Sequence, residues 1–342
     1  MPKAESLNSH VGVVVTTVNH PTAALQRLAD GCLASGADLV IIGDEKTPSG
    51  FSLQGSRYFD LTRQRGSELK YAEICPVRHY ARKNVGYLLA IASGAKIIIE
   101  TDDDNIPLVD FWERRSQHVP LRYISGAGWV NAYAFFTRAR IWPRGLPLNE
   151  VQSTVRPAVA WPMVEADCPV QQGLANGNPD VDAIYRLVLP LPFDFDIAEP
   201  IALGPGSWCP FNSQNTTFFS EAFPLLYLPY YCSFRMTDIW RSFIAQAILH
   251  VNGWSVMFHR ATVHQDRNDH DLMRDFCDEI PGYVNNALVM RELSLLPLSP
   301  GKENISSNLK RCYAKLVELK LLDVKELPLL DARLQDLQSI PQ

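Results

Sequence analysis

Apolar and polar positions along the first hundred residues follow two different periods. Residues 11–18 form a β-branched run too short for an isolated helix and predict a buried strand. Pro21 and Thr22 open a helical spacing through Leu25, Leu28 and Cys32, which Gly36 ends. A second short strand is predicted over 38–42, closed by Gly43-Asp44, and a third over 57–61. Over 76–93 the stripe Ala81, Val85, Leu88, Leu89 and Ala92 has helical spacing, with Gly94 as a stop. The strand predicted over 96–100 runs directly into Thr101-Asp102-Asp103-Asp104-Asn105. Strands alternating with helices in this way predict an α/β fold built on a Rossmann-like, mainly parallel sheet.

The middle of the chain is richer in Pro, Gly and aromatic residues, which predicts irregular loops and short antiparallel strands. A late strand is predicted over 258–263, and helices over 238–251, 283–296 and 306–322. From about residue 271 the pattern is that of a helical appendage packed on the same domain, so the chain divides into 1–270 and 271–342.

Composition narrows the function. The chain has 342 residues, 46% hydrophobic and 20% charged, as in an ordinary globular protein. Its 32 basic and 37 acidic residues leave a net charge of −5, which offers no footprint for nucleic acid and no polybasic membrane patch. No apolar run reaches the roughly 18 residues that span a bilayer, and the first ten residues lack the pattern of a signal peptide. Seven scattered cysteines without a Cys-x-x-Cys spacing fit reduced thiols, so a cytoplasmic location is expected.

Ligands of parallel sheets bind beyond the carboxyl ends of the strands. Three polar clusters fall there: Thr16-Thr17-Val18-Asn19, Gly43-Asp44-Glu45-Lys46 and Asp102 to Asn105. If the strand continues through the acidic triplet, alternation puts Asp102 and Asp104 on one side, where their repulsion favours a cation between them. Oxygen ligands favour Mg²⁺ or Mn²⁺ over zinc. The alternative is a solvated acidic loop or a helix cap. Arg78 and Arg82, four apart, would share one helix face with phosphate-binding geometry, joined by Lys83 and Asn84; a cationic solvent face is the other possibility. The segment from Gly204 and Gly206 through Trp208 to Asn212 is dense in residues that permit close approach, stack on sugar or read hydroxyls, or it is a structural loop. Asp238 opens an apolar helix, as a cap or as a base or sugar contact. His264 ends a strand, either as a metal ligand completing a carboxylate site or as a structural hydrogen-bonding residue. Gly-x-Ser-x-Gly, Walker and Gly-x-Gly-x-x-Gly patterns are absent.

Together, Tyr80-Ala-Arg-Lys-Asn-Val-Gly-Tyr87, Thr101-Asp-Asp-Asp-Asn105, Trp142-Pro-Arg-Gly145, Pro179-Asp-Val-Asp182, Asn212-Ser-Gln-Asn-Thr216 and Asp238-Ile-Trp240 resemble the STELLO-type glycosyltransferases over about residues 11–270. More distantly, the chain is similar to plant UDP-arabinopyranose mutases. The resemblance implies a GT-A fold, a nucleotide-sugar donor (a UDP-sugar favoured) and a glycan or other hydroxyl acceptor in surface-polysaccharide assembly. It implies Asp102 and Asp104, with His264, as ligands of Mn²⁺ or Mg²⁺. It further implies Thr16, Thr17 and Asp44 at the base and ribose, Arg78, Arg82, Lys83 and Asn84 near the diphosphate, Gly206 and Asn212 at the sugar, and Asp238 as the catalytic or sugar-contacting carboxylate. A nucleotide-sugar mutase and a non-catalytic scaffold are the alternatives.

Overall fold

A computed structural model describes residues 10–152, 161–266 and 271–341. The chain opens with strand β1 (Val11–Thr17), helix α1 (Ala23–Ser35), strand β2 (Asp38–Gly43) and strand β3 (Ser56–Phe59). Short helices α2 (Leu61–Arg65) and α3 (Lys70–Ile74) lead to helix α4 (Lys83–Ala92) and strand β4 (Ile97–Thr101). Strands β5 (Asn105–Pro107), β6 (His118–Ile124), β7 (Gly128–Trp129), β8 (Met163–Asp167) and β9 (Val170–Asn176) follow. Then come helix α5 (Ala183–Val188), strands β10 (Ile201–Leu203), β11 (Ser207–Trp208) and β12 (Asn215–Phe219), helix α6 (Thr237–Val251) and strand β13 (Val256–Gln265). Helices α7 (Leu272–Ser294), α8 (Ile305–Glu318) and α9 (Glu326–Ser339) end the chain.

One sheet runs in the order β3-β2-β1-β4-β12-β9-β13-β10-β6-β8, with β5 pairing β13. Its first four strands are all parallel. Beyond β4 the pairing is mixed, since β12 lies antiparallel to both β4 and β9. This is a GT-A-like α/β architecture. Burial explains the strand choice: Ile97, Ile98 and Ile99 are covered on both faces, as a central strand requires. Helix α1 starts where the Thr22 hydroxyl accepts the Leu25 N–H at 3.1 Å and stops at Gly36, whose φ of 74° suits glycine. Helix α4 seats on the sheet through Gly86, where a Cβ would stand 2.6 Å from Val14 and 2.8 Å from Ile42.

Two expectations need correction. Helix α4 begins at Lys83, not near residue 76: Arg78 has φ +64°, and Tyr80–Arg82 forms a single 3-10 turn. Arg78 and Arg82 therefore share no α-helical face. Helix α7 starts at Leu272, eleven residues before its expected start, because Asp271 caps it and Pro281 is accommodated inside it.

The last three helices are knitted into the body. Asp336 of α9 accepts the N–H groups of Lys70 and Tyr71 at 3.1 and 2.8 Å, closing the start of α3. Buried Glu326 accepts the Tyr227 hydroxyl and the N–H groups of Tyr230 and Tyr231, the latter at 3.0 and 2.7 Å. Among the described residues, no helix is long and apolar enough to cross a membrane.

Candidate active site

The carboxyl ends of β1, β4 and β13 open into a cavity of about 270 Å³. Thr16, the acidic triplet and Gln265 line one side; Arg144, Asp180, Arg235 and Asp238 line the other. Ser213 and Gln214 close the floor, and Tyr80 and Phe234 stand at the rim. Five carboxylates against two guanidiniums make the cavity a place for a cation-bearing ligand.

The triplet is a turn beyond the strand, so strand alternation does not govern it. Each aspartate faces a different partner. Asp102 meets Lys83 at 2.8 Å. Asp103 accepts the Thr17 hydroxyl and, at 3.0 Å, the Asn19 amide, while its carbonyl accepts Thr22. Asp103 thus ties the end of β4 to the start of α1. Asp104 receives the Gln265 amide at 3.2 Å on both oxygens. Desolvation raises the Asp102 carboxyl above its ordinary value, with the Lys83 ammonium opposing.

The opposite wall is built around Arg144, which is buried. It forms a fork on Asp180, with Nε and Nη2 at 2.8 and 2.9 Å, and Nη2 also reaches Asp238 at 2.9 Å. Its Nη1 donates to the Arg235 carbonyl. The Ser213 N–H adds a bond of 3.2 Å to Asp238. Burial alone would raise the Asp238 carboxyl; Arg144, Arg241 and the Ser213 N–H outweigh it and hold it below the usual carboxylate range. Arg235 is in turn held by Glu279 of α7, at 2.8 Å. Beneath the floor, Arg241 pairs with fully buried Glu100 at 2.7 Å and donates to the Asn212 carbonyl at 3.0 Å.

Several residues singled out in the sequence lie elsewhere. Arg82 is buried on Gln64 and the Cys75 carbonyl, at 2.8 and 2.7 Å, and Arg78 is an exposed partner of Glu45. Lys83 donates to Thr101 O, Asp102 and Ser213 O, so it props the floor from behind. Asn84 fills its bonds with Tyr71, Ala81 and Leu228. The Asn212 side chain accepts the Gln214 N–H at 3.0 Å and supports the floor without lining it. Asp44 accepts the N–H groups of Glu45 and His79 in the turn after β2, off the cavity. Gly206 sits at the far end of the sheet: β10 is antiparallel to β13, so the turn after Leu203 lies beside Val256 and not beside Gln265. His264 is exposed and faces Gly177, because alternation along β13 gives the cavity to its neighbour Gln265.

Arg144, Asp180, Arg235 and Gln265 were missed as cavity residues. Arg144 and Asp180 do lie in the Trp-Pro-Arg-Gly and Pro-Asp-Val-Asp motifs, yet 36 residues separate them and no local period marks the pair.

Among the described residues, no three His, Cys, Asp or Glu side chains are arranged to hold a metal on their own. The oxygen donors at Asp102 and Asp104 do fit a hard cation shared with ligand phosphates, since Mg²⁺-type ions commonly take only one or two carboxylates from the protein.

Fold and cavity define an α/β protein of the GT-A-like class, with an acidic site at the carboxyl ends of its parallel strands. A family model of STELLO glycosyltransferases matches residues 235–341, from the start of α6 through α9. Two Arabidopsis thaliana proteins are similar over most of the chain. "Probable glycosyltransferase STELLO2" is 32% identical over 304 residues, covering 82% of this chain and 38% of that protein. "Probable glycosyltransferase STELLO1" is 31% identical over 297 residues, covering 80% and 37%. The chain is similar to this STELLO-like family over most of its own length and spans less than two fifths of the length of these relatives.

Proposed function

We propose that this chain is a glycosyltransferase that moves a sugar from a nucleoside-diphosphate sugar to a hydroxyl acceptor, with Mn²⁺ or Mg²⁺ at the triplet. The observation that carries this reading is the convergence of Asp102–Asp104 and the Arg144–Asp180–Asp238 cluster on one cavity. A divalent cation there would neutralise the charge that grows on the departing diphosphate. Asp102 and Asp104 would hold it, with Gln265 orienting Asp104 and Lys83 fixing Asp102 from behind. Thr16 would contact the donor at the end of β1, while Thr17 serves Asp103 and Asp44 stays in its own turn off the cavity. Arg235 would face the donor's negative charge.

Asp238 suits one of its two expected roles better. A carboxylate held below its usual range by a buried guanidinium is a poor proton acceptor near neutral pH. We assign it to the donor sugar, where its negative charge stabilises positive charge developing at the anomeric carbon. The seven free thiols support a reducing, cytoplasmic setting.

The test is a thermal-shift screen with UDP, GDP, CDP, CMP and dTDP, each with and without Mn²⁺. A ligand at a hundred times its Kd stabilises by about 2.7 kcal/mol. A shift for one nucleotide that requires Mn²⁺ and disappears in Asp104→Ala is the expected result. The absence of any nucleotide shift in the intact chain overturns the donor site.

A further inference from the structure

A second depression of about 390 Å³ adjoins the cavity and is lined by His79, Tyr230, Tyr231, Cys232, Phe234 and Asp323. Its surface is a set of rings in mutual contact. His79 stacks on Tyr80 at 5.1 Å and meets Tyr230 at 4.8 Å and Phe234 at 4.9 Å. Phe234 also packs edge-on against Tyr80 at 4.9 Å. Phe234 lines the acidic cavity as well, beside Tyr80 of that cavity, so the two depressions meet at the Phe234 ring.

Three features bear on the occupant. First, the face is aromatic and open: Phe234 is 47% exposed, although water disfavours a bare ring. Second, it carries little net charge, since the Lys325 ammonium, 5.9 Å from the Tyr231 ring centre, offsets a single carboxylate. Asp323 is its one carboxylate, and burial keeps His79 neutral at pH 7 by lowering its pKa to about 4, Asp44 opposing. Third, it is held in place from behind, because Glu326 of α9 binds the N–H groups of both Tyr230 and Tyr231. A held aromatic face with a hydroxyl-accepting carboxylate at its edge matches the apolar ring faces and peripheral hydroxyls of a saccharide.

We propose that this platform is the acceptor site and that the acceptor is a neutral saccharide, one ring lying on Tyr230 and Phe234 and a hydroxyl pointing past Tyr80 into the acidic cavity. The proposal rests on the glycosyltransferase reading and names the substrate class for the acceptor side of it.

The test is saturation-transfer NMR on the full chain with cellotetraose, maltotetraose and chitotetraose, with glucose 6-phosphate as the anionic comparison. Transfer to the ring protons of at least one neutral tetrasaccharide is expected. Tyr230→Ala should weaken it about tenfold, while Tyr230→Phe keeps it. The thermal shift with nucleotide and Mn²⁺ should be unchanged in both variants, which also shows that they fold. The proposal is overturned by no transfer to any neutral saccharide, by transfer only to glucose 6-phosphate, or by binding that survives Tyr230→Ala. Failure of the donor reading is seen separately, as the absence of a nucleotide shift in the intact chain.

Discussion

The Lys83 ammonium lies 2.8 Å from the Asp102 carboxylate, with the whole Lys83 side chain out of solvent and its other donors on two backbone carbonyls. Lys83→Met would leave those carbonyls without a donor and Asp102 without its counter-charge. Breaking a buried pair costs about 3–5 kcal/mol. Asp102 reaches water with 37% of its side chain, so a loss of about 2–3 kcal/mol is expected in urea unfolding.

Arg144 separates two carboxylates that would otherwise face one another. Arg144→Met is expected to cost about 3–5 kcal/mol at pH 7, and Arg144→Lys should not rescue it, because a point charge cannot reproduce the fork on Asp180. The deficit should narrow with acid. In the intact chain the Asp238 pKa is depressed, so its contribution is present above about pH 4 and is lost as pH falls towards the folded value. In the variant the facing carboxylates bind a proton more readily folded than unfolded, so acid relieves them. Urea midpoints at pH 7, 5 and 4 measure the narrowing.

Gln265 and His264 are neighbours on β13 that face opposite ways. Gln265→Ala should weaken Mn²⁺-dependent nucleotide binding by about 10- to 100-fold through a loosened Asp104. His264→Ala should leave that dependence unchanged, since the ring lies against Gly177. A Mn²⁺ titration of the nucleotide thermal shift compares the two.

Three imidazoles are kept neutral chiefly by burial: His79 and His250 are lowered to about 4, and His259 to about 3. Their folded values lie below the unfolded 6.5, so their stabilising contribution holds above pH 6.5 and is lost as pH falls through that window. Each contributes a slope of up to about 1.4 kcal/mol per pH unit. Asp182, raised to about 6 by burial, opposes the trend by binding its proton first in the folded chain. His250→Gln should flatten the dependence between pH 6.5 and 4 by one proton's slope, read from unfolding curves across that range.

Much of the parallel half was legible because its signals are local. The apolar runs at β1, β2 and β4, the Thr22 cap and the Gly36 stop each act within a few residues. The triplet lies at the end of β4 as expected, but the partner of each aspartate was not legible. Asp103 serves Thr17 and Asn19, more than eighty residues upstream. The expected phosphate helix failed for a local reason: the left-handed backbone at Arg78 keeps the helix from starting before Lys83, although the apolar stripe itself continues into it. Arg144, Asp180 and Glu279 left no periodic trace, because their roles come from pairings across 36 to 96 residues. Helix α9 went unread, and its Glu326 and Asp336 act on backbone groups more than ninety residues away.

Glu279 belongs to the C-terminal helices and touches the Ala183 N–H, Tyr283 and the Arg235 guanidinium, but it does not line the cavity. Inheritance follows from that placement. A tail without a carboxylate at position 279 would loosen Arg235 while leaving every cavity carboxylate in place. Substrate preference in such chains can therefore drift through residues that never meet a substrate.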